Sequence, residues 1–449
     1  QRFARSFASS TQDDSECLRS FGLLSISGFR IWINLESFNY MQNSFLNVLR
    51  YPDFKKIWLS QVFSQIALNM VTFALLLDIF EKTKSNTSIS LVLIASAIPV
   101  AIFGPFSGAI ADRICYRKIL IYTNIFRFVA AVLLIVAHSN ILALLEIIFL
   151  ISALSQFFTP AESSSIPLIV PKEKLVHANS MVMTTTYATL LVGYAAAGPI
   201  MNYIGSKWLF AVCAGLFLLA TQATRMLTDF DKKQVKKLSI QTLASDIAEI
   251  WQEVKDGLIY LRKKSDVLNP MIKLTIGWTM LGALITLLPA FGESVLNIDP
   301  KFIGPAVIAP SGLGMLAAAI LLSKKAKLNQ LKVLDGGFII SSVGLILFSL
   351  YGFYEAVAFS RPALILAVII IGFGIGAIQI AGQTLLHLNS DEGQRGRVFG
   401  ISSMQLRLAT SLPALVVAAV ADLTSPFLTM LLLATIFFIY SFSLIFEER

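Results

Sequence analysis

The sequence predicts an all-α membrane protein with twelve transmembrane helices in two pseudo-symmetric six-helix bundles. Three observations lead there: the apolar content, the length and spacing of the apolar blocks, and the one-sided distribution of cations. Of the 449 residues, 56% are hydrophobic and 14% charged, and the mean hydropathy is +0.73. A soluble domain is roughly a quarter charged. Chain length therefore counts membrane spans rather than soluble domains.

A span needs about 20 apolar residues. Segments 1 to 6 are predicted at 57–80, 88–111, 119–138, 140–160, 178–203 and 207–228. Segments 7 to 12 follow at 270–292, 302–323, 333–354, 362–388, 399–421 and 425–446. Each should be helical, because lipid offers no partner to an open backbone N–H or C=O group.

The net charge of +9 would suggest nucleic acid in a soluble chain. Here position matters more, because Lys and Arg collect on the cytoplasmic side of membrane proteins. One side holds Arg50, Lys55 and Lys56, then Arg113, Arg117 and Lys118, a basic central loop, Lys324, Lys325 and Lys327, and Arg395 and Arg397. The other side holds Lys82, Lys84, Lys207, Lys301 and Arg361. The bias places both termini in the cytoplasm and supports the count of twelve. Nucleic acid is not an expected partner.

The domain plan follows. Residues 1–40 lack a membrane-length apolar run and the layout of a signal peptide; with Met41 just beyond, they read as an N-terminal extension, non-native or disordered. Residues 41–228 form the first six-helix bundle and 267–449 the second. Between them, 229–266 carries Ile240, Leu243, Ile247, Ile250, Val254, Leu258 and Leu261 at helical spacing. This is an amphipathic linker helix lying on the inner membrane surface. Two residue matches at an offset of 223, Gln156 with Gln379 and the run 179–181 with 402–404, give a weak internal repeat of the halves. Two such halves with the solute site between them are a known transporter plan.

One stretch carries more information. Gly104 to Lys118 reads GPFSGAIADRICYRK, an apolar, small-residue run that ends in Asp112-Arg113 and then Arg117-Lys118. Gly104 and Gly108 share a helix face and would permit close helix approach. The pattern Gly108, Asp112, Arg113, Arg117 and Lys118 resembles the signature loop of the major facilitator superfamily, departing at Tyr116, where a turn residue is usual. The segment 10–11 region, with GRVFG at 396–400, and the 4–5 region, with FTPAE at 158–162, resemble the drug- and siderophore-exporting branch (enterobactin-exporter-like and macrolide-efflux-like). The resemblance covers about residue 45 to the end. It implies the major facilitator fold, alternating access and efflux of a small-molecule solute, commonly by proton antiport. That branch often has Pro near the middle of segment 5. This chain has Tyr194 there, with Gly198-Pro199 a few residues on.

The loop suggests an inner gate. Segment 11 begins near Arg395 and Arg397, and a helix N-terminus offers free N–H groups and partial positive charge. Asp112 at the end of segment 2 is the natural acceptor, making Arg395 and Arg397 the gate-partner region.

Ionisable residues inside spans default to function. Glu146 and Asp78 are the candidate proton-coupling acids. Arg127, about 12 Å into segment 3, pairs with an acid, binds an anionic solute group or braces the bundle. Arg407 has similar depth in segment 11. Lys273 at the inner end of segment 7 snorkels to the surface. Gln379, Gln383 and His387 form one stripe on segment 10, and Gln65, Asn69 and Gln156 are the comparable first-half positions; they line the cavity or hold helices together. Gly372, Gly374 and Gly376 lie in an apolar helix and read as packing positions.

Other classes fit less well. No phosphate-binding loop, H-E-x-x-H or G-x-S-x-G motif is present, so an enzyme is not expected. The scattered Cys17, Cys115 and Cys213 and three histidines give no metal spacing, and no cofactor is implied. The expected state is a monomer in the bilayer of the plasma membrane. Two alternatives stay open: a lipid or lysolipid flippase on the same fold, and a non-transporting sensor.

Overall fold

The computed structural model describes residues 21–26, 29–34, 48–228, 252, 255–323, 329–351, 361–391 and 394–447, with the side chains of 21–34, 105–106, 109, 112–113, 176, 323, 361, 395–397 and 445–447 outside the description. A short antiparallel hairpin, β1 (Phe21–Ile26) and β2 (Phe29–Asn34), pairs Phe21 with Asn34. All remaining regular structure among the described residues is helical.

The first bundle contains α1 (Pro52–Thr83), α2 (Asn86–Arg113), α3 (Tyr116–Ala137), α4 (Ile141–Ile169) and α5 (Leu175–Arg225). Polar residues punctuate the apolar runs. Ser85 caps α2 by accepting from the Ser88 amide, and Asn140 caps α4 by accepting from Leu142 and Ala143. Such caps satisfy amides that have no intrahelical partner. The 51-residue α5 is too long for one crossing. At Gly205 the backbone turns to φ 82°, ψ 161°, a region that glycine enters without steric cost. Residues 175–204 and 206–225 are thus two spans, segments 5 and 6.

The second bundle contains α6 (Ser265–Ser294), α7 (Ala309–Ser323), α8 (Gln330–Leu350), α9 (Arg361–Asn389), α10 (Arg395–Leu423) and α11 (Pro426–Glu447). A 3-10 turn at Pro300–Phe302 and a π-turn at Gly304–Ile308 lead into α7. Among the described residues, eleven helical runs are long and apolar enough to cross a membrane; with α5 counted as two spans, they number twelve.

Packing divides the chain in two. In the first bundle α1 and α3 pack on α5, and α2 and α3 on α4. In the second, α8 and α7 pack on α9, and α6 on α10. Gly372, Gly374 and Gly376 do what their spacing predicts: a Cβ there would collide with backbone of Ser311, Gly337 and Met315, so α9 approaches α7 and α8 closely. Across the bundles α2 packs on α10, and α5 on the turns leading into α7.

Most of the linker lies outside the described residues. Its end, 255–263, is helical and docks on the second bundle: Tyr260 Oη donates to Asp391 Oδ2 at 2.9 Å and Lys264 Nζ to Oδ1 at 2.6 Å.

Candidate functional site: the seam between the bundles and two buried polar cores

The end of the molecule that carries both termini is the basic end by sequence; the other is the far end. The bundles are sealed at the far end. Lys84 pairs with Glu293 at 2.6 Å and Lys301 with Glu81 at 2.9 Å. Gly198 lies so near the Lys301 carbonyl that a Cβ there would come within 1.8 Å of the oxygen, and one on Gly304 within 2.4 Å of the Tyr194 carbonyl. The stretch around Tyr194 is thus a backbone seam. The Tyr194 ring itself lies tilted 5.0 Å from that of Phe73, filling the first bundle's core rather than introducing the break a proline would make.

At the basic end the expected close approach of glycines is not made. Among the described residues, a Cβ on Gly108 of α2, or on Gly400 of α10, would meet nothing within 4 Å, and one on Gly104 would touch Gln156 and Val100 at 3.9 Å. The side chains of Asp112, Arg113, Arg395 and Arg397, on which the inner gate was argued, lie outside the described residues. Arg117 Nη2 donates to the Arg225 carbonyl at 3.1 Å, and Lys118 is exposed. Tyr116 now has an explanation. Ile114 is extended and Cys115 has φ -55°, so the turn needs no positive φ, and glycine is dispensable. The ring is 3% exposed and packs with Ile57, Leu120 and Phe158.

Inside the first bundle α3 and α4 each bury an ionisable residue. Arg127 and Glu162 are 3% and 4% exposed. Arg127 Nη1 donates to Asn124 Oδ1 at 3.3 Å, and Asn124 Nδ2 donates to Ser60 Oγ at 3.0 Å. The guanidinium also sits 4.7 Å from the Phe158 ring centroid, a cation–π contact. Arg127 Nε and Glu162 Oε1 have no hydrogen-bond partner among the described residues. The contacts Arg127 makes here are with Asn124 and Phe158. Glu162 escaped the sequence reading because segment 4 was ended at 160, whereas α4 continues to Ile169 through Pro160 and Pro167.

The second bundle has its own pair. Lys273 does not snorkel: its Nζ lies 2.6 Å from Asp335 Oδ1, joining α6 to α8, with both side chains nearly buried. Asp335 stands at the edge of predicted segment 9, where an acid reads as interfacial.

The proton-coupling candidates fare differently from expectation. Glu146 is exposed, on a face shared with exposed Leu142 and Leu150. Asp78 is buried but bound to Lys82 at 2.5 Å; Lys82 also donates to the His138 carbonyl. Of the polar stripe, Gln379 accepts from Trp278 Nε1 at 2.9 Å, and Gln383 is half-buried. His387 is exposed, its ring 4.5 Å from Phe399. Gln156 donates to the Ser152 carbonyl of its own helix. Gln65 and Asn69 are half-buried on α1.

Arg407 stands apart. It lies about 18 Å along α10 from the helix start, yet it is exposed.

The family model of the Major Facilitator Superfamily matches residues 57–413. This chain belongs to the major facilitator superfamily. It is similar to the putative bacilysin exporter BacE of Bacillus subtilis (strain 168), 25% identical over 329 residues, 72% of this chain and 77% of that one. Macrolide efflux protein A of Streptococcus pyogenes is 24% identical over 273 residues, 60% of this chain and 65% of that protein. The lysophospholipid transporter LplT of Photorhabdus laumondii is 24% identical over 173 residues, 38% of this chain and 41% of that one. The fold matches the crystal structure of a POT family transporter in complex with a thioalcohol-conjugated peptide, with a TM-score of 0.71 at 11% identity, over 88% of this chain and 96% of that one. As a facilitator-superfamily member, the chain is a multi-pass membrane transporter of small-molecule solutes.

Proposed function

We propose that this transporter is a secondary active exporter of a drug-like or siderophore-like solute, working by alternating access and coupled to protons. The observation that carries the coupling is the burial of Glu162, and of Arg127 in the same bundle. A carboxyl and a guanidinium share the interior of the first bundle, and each keeps an unpartnered polar atom. Burying charge is costly unless it is paired and hydrogen-bonded, so an incompletely satisfied carboxyl suits a group that exchanges a proton rather than one that only braces helices. Glu162 replaces Glu146 and Asp78 as the coupling acid in this reading. Arg407 supplies an exposed cation partway along α10. With no carboxylate in ion-pair range among the described residues, it suits an anionic or oxygen-rich group on the solute. The basic end faces the cytoplasm of the plasma-membrane cell, the signature loop with Asp112 closes that end against the start of α10, and the protein works as a monomer.

The exporter reading is supported by the likeness to proteins named as a macrolide efflux protein and a bacilysin exporter. A second reading, lysolipid flipping, is favoured by the likeness to LplT alone. Flux measured in proteoliposomes, with and without an imposed pH gradient, separates them. Gradient-driven movement of a soluble compound supports the exporter. Movement of lysolipid only supports the flippase and overturns the exporter.

A further inference from the structure

The N-terminus of α2 is capped from the other bundle. Asp422, one residue before the end of α10, accepts at Oδ1 from the Asn86 amide at 2.8 Å and from Asn86 Nδ2 at 2.9 Å. At Oδ2 it accepts from the Thr87 amide at 2.9 Å and from Ser85 Oγ at 2.6 Å. Asn86 and Thr87 are the first two residues of α2, and the next amide, Ser88, is held by the Ser85 side chain. The opening amides of α2 that lack intrahelical partners are therefore satisfied largely by one carboxylate more than three hundred residues away. That carboxylate also stands at the positive end of the helix dipole.

Helices α2 and α10 run antiparallel across the seam. Each therefore ends beside the other's beginning. At the far end the closing acid is Asp422. At the basic end Asp112 is the second-to-last residue of α2, beside the start of α10 at Arg395. In this structure the far end of the pair is joined through Asp422.

We propose that Asp422 is the clasp of the far gate. It holds the far end closed by capping α2, and far-end opening requires the α2 N-terminus to be uncapped and rehydrated. Alternating access then exchanges one carboxylate-to-helix contact for another at the two ends of the same helix pair. The Lys84–Glu293 and Lys301–Glu81 pairs lie at the same end but are surface ion pairs with charges in reach of water, and such pairs hold weakly. The clasp is a gating role and rests on the chain being an alternating-access transporter. Its test needs no solute, so its failure is distinct from failure of the exporter reading.

The test is a distance measurement across the far end. Spin labels are placed at Leu142→Cys, at the start of α4, and Leu428→Cys, at the start of α11, in full-length protein with the three native cysteines replaced by alanine. Both label sites are exposed and lie outside the clasp. Asp422→Ala should move the population toward longer separations by on the order of tenfold, the scale of a partly buried helix-terminus charge. Asp422→Asn, which keeps one acceptor oxygen and loses the charge, should fall between. An unchanged distribution in folded, monodisperse Asp422→Ala protein overturns the proposal, even if transport is lost. Should that variant fail to fold, Ser85→Ala with Asn86→Ala removes two side-chain donors and leaves the carboxylate. It should shift the population in the same direction by less, and no shift overturns the clasp.

Discussion

Lys273 on α6 and Asp335 on α8 are joined at 2.6 Å with both side chains close to fully buried. A lysine that by sequence position should reach for the surface is instead held by an acid from a helix two spans away. The pair ties the first and third helices of the second bundle. In the first bundle, the Ser60–Asn124 hydrogen bond does the same between α1 and α3. The two halves brace equivalent helices, one with a charge pair and one with neutral groups.

Removing one partner leaves a buried charge without compensation. Asp335→Leu should destabilise the protein by about 3 kcal/mol. Lys273→Met combined with Asp335→Leu should recover most of that loss. Thermal unfolding in detergent, followed by size-exclusion chromatography, reads both. A double variant no more stable than the single one would contradict this account.

Glu162→Gln should uncouple transport. The variant keeps size and one acceptor oxygen but cannot give up a proton. Flux driven by an imposed pH gradient should fall to the level seen without a gradient, while counterflow of preloaded solute persists. Glu146→Gln, at an exposed position, should behave like the unmodified protein. The reverse pattern would return the coupling role to Glu146.

The linker docking should ignore pH over the physiological range. Hydrogen bonds from Lys264 and then Tyr260 hold the Asp391 carboxyl below its ordinary range, and the bond to Asp391 holds Lys264 above its own. A depressed acid contributes fully above its unfolded value of about 3.9 and loses that contribution as pH falls through the lower folded value. A raised lysine contributes fully below about 10.4 and loses it as pH rises through the higher folded value. Hydrogen exchange across 255–263, corrected for intrinsic rates, should therefore stay flat from pH 5 to 9. Asp391→Asn should speed it at every pH in that window.

Gly198→Ala should weaken the far seal. Its new Cβ would lie 1.8 Å from the Lys301 carbonyl oxygen, against backbone that has no rotamer to escape into. Overpacking of this kind costs about 1–3 kcal/mol, here paid only in the far-closed state. Labelling of a cysteine at the far-end seam should rise in the variant. Gly215→Ala, where a Cβ meets nothing within 4 Å, is the matched control and should leave labelling unchanged.

Much of the molecule was legible in one dimension. Span number, span order and the break near Gly205 follow from runs of apolar residues, because lipid forces each run to satisfy its own backbone. The family followed from the Gly108–Lys118 loop, whose charges must stand at a membrane surface. Even the role of Gly372, Gly374 and Gly376 as packing positions was readable. The errors came at the edges. Predicted segment 4 ends at 160, short of Glu162, and the snorkelling expected of Lys273 rests on its distance from a predicted span end.

What the sequence determined by itself, then, was which residues cross the membrane, in what order, and which loops carry the positive charge. These are properties of contiguous stretches and need no partner. Only the tertiary structure decided which polar groups meet: Asn124 with Ser60, Lys273 with Asp335, and Asp422 with the start of α2. Each of these depends on the rotation and depth of helices far apart in the chain. Hydropathy does not encode that geometry, because it is set by how the helices pack against one another.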